Sequence, residues 1–185
     1  MIIETERLIL RAWTLADADA MVAGLSDFEV SRNLVGPFPY TKQHAIEYIN
    51  KHKNHTENDY SFAVTLKENG KVIGGTNLTI NDLGRYAGGL WICREYQCKG
   101  YGTEIWIARA KFAFDILNQL ELYNGFFCFN EKSQKMHTKI GYKVVSEKTV
   151  FCPALNTDVR DIITKLTKSD FEQYYNSINF KFLVK

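Results

Sequence analysis

The sequence lacks the features that tie a protein to a membrane or to nucleic acid. No stretch approaches the roughly 18 consecutive apolar residues of a membrane span. The apolar start MIIETERLILRAW is interrupted by Glu4, Glu6 and Arg7, which does not fit a signal peptide. The formal net charge is only +2, and no long run of Lys or Arg occurs. We therefore expect a cytoplasmic protein with neither a membrane nor a nucleic acid as partner.

Cysteine and histidine are too few and too scattered to indicate a metal site or a disulfide framework. The sequence has four cysteines: Cys93, Cys98, Cys128 and Cys152. They include no C-x-x-C pair, and none of the four histidines is spaced with them, so free thiols and no metal are expected. Repeats are also missing. A chain of 185 residues then predicts one domain over residues 1–176 and a C-terminal tail over residues 177–185.

Helix caps and turn residues divide the chain into strands and helices. Thr14 and Thr41 precede amphipathic segments as helix caps. Asn69-Gly70 marks a hairpin turn, and Gly141 ends a helix. The expected strands are 7–12, 60–66, 72–80, 85–93, 122–129, 142–151 and 158–167, and the expected helices are 15–25, 41–53, 103–117, 131–139 and 169–175. This order predicts a mixed sheet of about seven strands flanked by helices, in the α/β or α+β class.

Two glycines lie at the turn between an expected strand and a largely apolar helix. Gly100 and Gly102 allow unusual backbone angles and the close approach of a ligand. A packed helix N-terminus presents unpaired N–H groups with a partial positive charge, which suits a phosphate group. The segment from Cys98 to Gly102 therefore predicts an anion-binding loop, with Lys99 and Arg94 as nearby cations. The alternative is a turn that binds nothing.

Two common phosphate-binding loops do not fit this segment. Ile105 stands where the Rossmann pattern has its third glycine, and the Walker Gly-Lys-Ser/Thr does not precede the helix. Instead, QCKGYG at 97–102 resembles the Gln/Arg-x-x-Gly-x-Gly/Ala signature of the GNAT N-acetyltransferases. Further stretches are similar to the branch of RimJ and RimL, the ribosomal-protein N-terminal acetyltransferases: ETERLILRAWTLADADAM, KVIGGTNL, LWICREYQCKGYGTE, NEKS and KIGYK.

The resemblance implies a GNAT fold, whose twisted, mostly antiparallel sheet splays apart at the cofactor strand. It implies an acyltransferase that moves the acetyl group of acetyl-CoA to a primary amine, either a protein N-terminal α-amine or a small amine. Proteins of this branch are often monomers or homodimers. Gly88-Gly89 suits a splay, because strand glycines mark a bulge or a close backbone approach. A weak edge strand without a ligand is the alternative.

The resemblance also assigns residues to the cofactor. The loop amides and Thr103 would hold the pyrophosphate, the strand before the loop would pair with the pantetheine arm, and an amide near Trp91 or Ile92 would meet the oxyanion. Asn130 would bind the pantetheine amide, although asparagine there is also a good N-cap. The cofactor-binding residues implied are Trp91, Ile92, Cys93, Gln97, Cys98, Lys99, Gly100, Tyr101, Gly102, Thr103, Asn130 and Ser133.

Ser133 and His137 are the candidate catalytic residues. With Asn130 they are spaced to share one face of a short helix. In the RimJ/RimL-like branch a serine at this place lies by the cofactor sulfur and can protonate the leaving thiolate. Many other GNAT proteins use a tyrosine where this chain has His137. Alternatively, His137 is only a solvated surface residue.

The general base is missing from its usual place. Related proteins often carry a glutamate where this chain has Ala87, and the nearest carboxylate upstream is Asp82. A water chain or another carboxylate would take its role, or the amine binds already neutral. An α-amine, with a pKa of about 8 against about 10.4 for lysine, needs less help to lose its proton. The missing glutamate also leaves open an acyl-CoA-binding sensor or interaction module with little catalysis.

The acceptor is expected between the first two helices and the closing strand pair. Glu29 and Asp27 suit a cationic acceptor, whereas Arg32 suits an acidic one. Phe38 and Tyr40 would complete the wall of this groove, or would only cover the core. The expected substrate-binding residues are Glu29, Arg32, Phe38 and Tyr40.

Overall fold

A single sheet of ten strands crosses the part of the chain that the computed structural model describes, residues 1–177 and 180–185. The strands are β1 (Ile2–Glu4), β2 (Leu8–Arg11), β3 (Asp59–Leu66), β4 (Val72–Ile80), β5 (Tyr86–Gly88), β6 (Leu90–Ile92), β7 (Glu121–Phe127), β8 (Lys143–Cys152), β9 (Thr157–Thr167) and β10 (Leu183–Val184). The helices are α1 (Ala18–Leu25), α2 (Phe28–Ser31), α3 (Lys42–His52), α4 (Tyr101–Lys111), α5 (Glu131–Ile140) and α6 (Lys168–Tyr175). The strand order is β10-β1-β2-β3-β4-β5-β7-β9-β8, and β6 also pairs with β4.

Every strand pair in the described residues is antiparallel except β5 with β7. This confirms the predicted mixed, mostly antiparallel sheet flanked by helices. The additional strands have simple origins: β1 and β10 are too short to show alternation in the sequence, and β5 and β6 are halves of one expected strand. β10 pairs with β1, with Val184 opposite Ile3, so part of the expected tail extends the sheet.

Short-range features of the sequence form the local structures that were predicted. The Thr41 hydroxyl accepts a hydrogen bond from the His44 amide at 3.3 Å and so caps α3. Gly70 in the β3–β4 turn has a φ of 73°, and Gly141 ends α5 with a φ of 106°. The loop expected after α1 contains the short helix α2, which begins well before the two prolines and is capped by Asp27.

Helices cover both faces of the sheet, and each face has its own apolar core. The larger core lies under α4, α5 and α6, and the smaller one under α1 and α3. α4 is buried almost all round, from Glu104 to Ala110, so its N-terminus is fixed by packing. None of the helices in the described residues is long and apolar enough to cross a membrane.

The sheet opens between β6 and β7. β5 pairs with β7 only where Ala87 lies opposite Tyr123 and Gly88 opposite Asn124. β6 continues beside β4, while β7 continues beside β9. The predicted splay at the cofactor strand is therefore present, and it begins directly after Gly88.

Gly88 marks a close backbone approach rather than a bulge. β5 and β6 keep the same register against β4, so no residue is inserted at Gly89. A Cβ atom at Gly88 would overlap the carbonyl oxygen of Asn77 on β4. Glycine is required at this position because the two backbones come too close for any side chain.

Candidate active site

Six consecutive backbone amides are free at the start of α4. The amides of residues 98–103 donate to no acceptor within the described residues, whereas the Glu104 amide donates to the Gly100 carbonyl at 3.1 Å. Cys98 and Gly100 have φ values of 60° and 84°. Consecutive free amides in a turn with left-handed residues form a concave anion site, and the helix dipole adds to it. The predicted loop therefore keeps the donors that a phosphate group needs.

Arg7 fastens this loop to the sheet just before β2. Its Nη1 donates to the Lys99 carbonyl at 3.0 Å, and its Nε donates to the Glu104 carboxylate at 2.7 Å. Glu104 is buried in the first turn of α4. A Cβ atom at Gly100 would lie 3.3 Å from Arg7 Nη2, so the guanidinium is a fixed cation beside the free amides.

The Gln97 side chain makes structural contacts in the described residues. Gln97 Nε2 donates to the Ile92 carbonyl at 3.0 Å, and Lys132 of α5 donates to Gln97 Oε1 at 3.4 Å, so the Gln97 side chain joins β6 to α5.

All four cysteines are free thiols; Cys98 is exposed, and burial raises the pKa of Cys93. Within the described residues, no group of three or more His, Cys, Asp or Glu is arranged to hold a metal ion.

Alternate backbone groups of β6 face the gap. The Cys93 amide donates to a β4 carbonyl at 2.9 Å, and the Gly89 carbonyl accepts from β4 at 3.2 Å. Odd-numbered residues of this strand thus bond to β4. Because successive amides of a strand point in opposite directions, the Ile92 amide faces the gap and the Trp91 amide does not. The Trp91 ring instead stacks on Trp13, with centroids 6.4 Å apart, on the α1 side of the sheet.

A buried arginine replaces a missing ladder hydrogen bond at the apex of the gap. The Gly89 amide donates to the side chain of Asn77 at 2.7 Å rather than to its carbonyl oxygen. Arg109 Nη1 donates to that carbonyl oxygen at 3.1 Å. Its guanidinium carbon lies 3.5 Å from the centroid of the Trp106 ring. Burial lowers the pKa of Arg109 to about 10, so it stays charged at neutral pH.

Asn130, Ser133 and His137 lie together on α5, at the end of β7. The Asn130 side chain accepts the Ser133 amide at 3.1 Å, so asparagine does act as the N-cap. Ser133 Oγ lies 3.2 Å from His137 Nδ1, which also lies 2.7 Å from the Ser133 carbonyl oxygen. On the other side of the ring, Asn124 Nδ2 lies 2.8 Å from His137 Nε2. The carbonyl requires a donor, so the proton is on Nδ1, and Nε2 accepts from Asn124.

His137 is an interior residue. The alternative of a solvated surface histidine is wrong, because the residue is 1% exposed among the rings of Trp106, Phe126 and Tyr142. Burial lowers the pKa of His137 to about 4, and the Arg109 charge acts in the same direction. At neutral pH its single N–H is engaged with a backbone carbonyl. The hydroxyl of Ser133, which is only half-buried, is the free proton donor of this group.

Three of the four residues expected to bind the acceptor lie on one surface. The ring of Phe38 packs edge-on against Phe28, with centroids 5.9 Å apart. The Arg32 guanidinium pairs with Glu29 at 3.6 Å and lies 5.5 Å from the ring of Phe129. Phe129 directly precedes Asn130, so this surface reaches the beginning of α5.

Tyr40 belongs to the core instead. Tyr40 is only 8% exposed, and its hydroxyl donates to Met21 Sδ at 3.2 Å. Burial raises the pKa of Tyr40 to about 12. The structure therefore places Tyr40 in the core, as in the alternative that it covers the core, and not on the surface shared by Glu29, Arg32 and Phe38. Asp27 is also engaged already, because it caps α2 and pairs with Arg94 at 3.1 Å.

Three polar residues near the gap were not singled out from the sequence. Arg109 is a charge inside the apolar stretch IWIARAKF, four residues after Ile105, and that helical spacing indicated a buried position. Asn124 and Asp161 are polar residues within strands. Their type is visible in the sequence, but their place depends on how β7 and β9 pair, which the sequence does not show.

Comparison with known proteins agrees with this geometry. The chain matches the sequence profile of the acetyltransferase (GNAT) domain over residues 7–143. Among solved structures, it resembles Mycobacterium smegmatis RimJ in complex with CoA-disulfide (TM-score 0.81, 9% identity, 98% of this chain and 96% of that chain). It also resembles spermidine N-acetyltransferase from Vibrio cholerae in complex with CoA and spermine (TM-score 0.76, 19% identity, 89% and 97%). A third is ribosomal-protein-S5-alanine acetyltransferase from Vibrio fischeri (TM-score 0.73, 19% identity, 92% and 98%). No curated protein sequence gave a significant match.

Proposed function

The chain belongs to the GNAT acetyltransferase family, and we propose that it moves the acetyl group of acetyl-CoA directly to a primary amine. The observation that carries this proposal is the gap between β6 and β7, followed in the chain by the free amides of residues 98–103. Backbone N–H and C=O groups of a strand that face a gap can bind the pantetheine arm, and free amides at a helix N-terminus can bind the pyrophosphate.

Each side of the gap has its own task in this proposal. The thioester of acetyl-CoA supplies the acyl group. The Ile92 amide stabilises the negative charge that develops on the carbonyl oxygen. The Ser133 hydroxyl gives its proton to the departing sulfur. His137 holds Ser133 in place, because its N–H is fixed on the Ser133 carbonyl and its other nitrogen is fixed by Asn124.

The proposed acceptor is a protein N-terminal α-amine or a small amine. Two of the similar structures are named for the alanine of ribosomal protein S5 and for spermidine, which represent these two classes. Ala87, in place of a glutamate, supports an α-amine, because an amine with a pKa of about 8 is more easily deprotonated than one with a pKa of about 10.4.

A second candidate function is an acyl-CoA-binding module with little catalysis, and Ala87 is the observation that favours it. The two functions differ in what Ser133 does. If the protein is an enzyme, Ser133→Ala should lower kcat by about 100-fold and leave acetyl-CoA affinity unchanged. If it only binds acyl-CoA, the substitution should change neither quantity.

The test combines binding with product analysis. Wild-type protein, Ser133→Ala and the control Ser146→Ala, on the exposed edge strand β8, would be titrated with acetyl-CoA by calorimetry. They would then be incubated with acetyl-CoA and, separately, a peptide beginning with alanine, a peptide beginning with serine, and spermidine. We expect an acetylated product by mass spectrometry, formed about 100-fold more slowly by Ser133→Ala and at the wild-type rate by Ser146→Ala. Tight binding of acetyl-CoA by both the wild type and Ser133→Ala, without any acetylated product from either protein, would support the binding module instead.

A further inference from the structure

Two strand positions without side chains lie at the apex of the gap, on the α1 side of the sheet. Ala87 opposite Tyr123 is the last pair of β5 and β7 on this face. Because strand side chains alternate, the next residues on the same face are Gly89 and Gly125. Both glycines are exposed. Trp91, the next residue on this face, packs against α1, which identifies the side.

β9 places a carboxylate over one of these glycines. Asp161 pairs with Phe127 of β7, and its side chain leans back over Gly125. A Cβ atom at Gly125 would lie 2.5 and 2.8 Å from the two carboxylate oxygens. Any side chain at Gly125 would therefore displace the carboxylate. The missing side chain makes room for Asp161 beside the apex of the gap.

No hydrogen-bond or ion-pair partner in the described residues gives the Asp161 carboxylate a structural role. Within the described residues it takes part in no hydrogen bond or ion pair, although it is half-buried. Its neighbours Gly125 and Phe127 on β7 carry no charge, and Lys148 faces it from β8. Burial raises the pKa of Asp161, against the weaker opposing effect of Lys148. A half-buried carboxylate without hydrogen-bond donors is less stable than one in water, and a cation bound directly to it would offset that cost.

We propose that Asp161 binds the ammonium group of the acceptor and takes its proton, the task that Ala87 cannot perform. The inference rests on the proposed acetyl transfer. Strands lie about 4.8 Å apart and same-face residues about 6.8 Å apart, so Ala87 and Gly125 are separated by roughly 8 Å. A glutamate at position 87 would reach the region that Asp161 reaches from β9. Ser133 lies on α5, on the opposite face of the sheet, so the base and the acid approach the gap from opposite sides.

Bonds and protons balance in this scheme. The amine nitrogen bonds to the acetyl carbon as the carbon–sulfur bond breaks and its electron pair goes to sulfur. The ammonium group loses one proton to Asp161, which passes it to solvent, and loses a second to solvent as the amide forms. The sulfur takes one proton from Ser133, whose oxygen regains one from solvent. The net products are an amide, a free thiol and one released proton.

Four variants of the intact chain test this role. Asp161→Asn removes the negative charge, and Asp161→Glu keeps it. Gly125→Ala displaces the Asp161 carboxylate from its place over β7. Asp158→Asn is the matched control, because it makes the same change on the same strand at an exposed position of the other face. The measurements are acetyl-CoA affinity by calorimetry and the pH profile of kcat/KM with the two peptides and spermidine. A third measurement, independent of turnover, is the carbon-13 titration of the Asp161 carboxyl group in the acetyl-CoA complex, before and after addition of each amine.

The expected result separates chemistry from cofactor binding. Asp161→Asn should bind acetyl-CoA normally but lose about 100-fold in kcat/KM together with the acidic limb of its pH profile. Asp161→Glu should keep that limb, and Asp158→Asn should match the wild type. An Asp161→Asn protein within about threefold of wild type, with the same profile, overturns the inference. So does a carboxyl signal that titrates in the ordinary range of aspartate and responds to no amine. A wild-type protein that does not bind acetyl-CoA contradicts the proposed function instead.

Discussion

The Nη1 atom of Arg109 lies 3.1 Å from the carbonyl oxygen of Asn77, where a regular antiparallel ladder would place the amide of Gly89. Gly89 donates to the Asn77 side chain instead. The Asn77 carbonyl of β4 therefore accepts its hydrogen bond from a side chain of α4, on one face of the sheet, rather than from an amide of the neighbouring strand. Arg109 thus replaces the Gly89 amide as a donor to β4 at the place where β6 and β7 separate.

Removing this donor should weaken cofactor binding more than it weakens the fold. Arg109→Met leaves the Asn77 carbonyl unpaired at the apex of the gap, and it also removes a buried charge that lacks an ionic partner among the described residues. We expect the Kd for acetyl-CoA to rise about tenfold, the equivalent of roughly 1.4 kcal/mol and of one hydrogen bond. Calorimetry beside the control Lys111→Met, two residues further on α4, checks this. An unchanged Kd in Arg109→Met would exclude a role in shaping the gap.

Breaking the pair of Arg7 and Glu104 should loosen the phosphate loop and destabilise the fold. Glu104→Gln takes the charge from a buried carboxylate that holds Arg7 through two of its nitrogens. Because Arg7 is 44% exposed and can return to water, we expect a loss of about 2 kcal/mol rather than the larger cost of a fully buried pair. Urea denaturation measures this loss. Glu147→Gln, on the exposed face of β8, should change stability little. If the two substitutions lowered the free energy of unfolding equally, the pair of Arg7 and Glu104 would not stabilise the fold as described.

Burial of neutral His137 should make the fold sensitive to mild acid. The pKa of His137 is about 4 in the folded chain, against about 6.5 in the unfolded chain. The unfolded state therefore takes up the proton first as the pH falls, so stability is complete above about pH 6.5 and declines towards pH 4. At about 1.36 kcal/mol per pKa unit, the decline approaches roughly 3 kcal/mol.

Denaturation at several pH values, for wild type and for His137→Gln, isolates this contribution. An amide side chain has no proton to gain in this range, so the variant should be less stable at pH 7 but should lose less stability on acidification. If both proteins showed the same slope of stability between pH 6.5 and pH 4.5, His137 would not be the buried neutral group described here.

Features that depend on neighbouring residues were predictable from the sequence. The cap at Thr41, the turn at Gly70 and the helix end at Gly141 need only a few adjacent residues to form. The phosphate loop is of the same kind, since its glycines and the helix after it are contiguous. The splay could be anticipated because the two glycines that permit it are also adjacent.

Features that depend on pairing between distant segments were not predictable. His137 belongs to a helix of mostly exposed polar residues, and only the packing of α5 on α4 and β7 buries it. Glu104 and Arg7 are 97 positions apart, and nothing local in either segment indicates that they meet. Asp161 lies over Gly125 only because of the particular register of β9 on β7. The burial of Tyr40 was not predictable for the same reason, because it depends on Met21 of α1.

The most direct test of the central claim is calorimetric titration of acetyl-CoA into wild type, Gly100→Glu and Gly100→Ala. Both substitutions meet the same backbone strain, because Gly100 has a φ of 84°. Only the glutamate also places a negative charge where the pyrophosphate should lie. The prediction is micromolar binding by the wild type, binding weakened by strain in Gly100→Ala, and none in Gly100→Glu. Equal binding by all three folded proteins, or no binding by the wild type, would contradict a diphosphate held on the amides of residues 98–103.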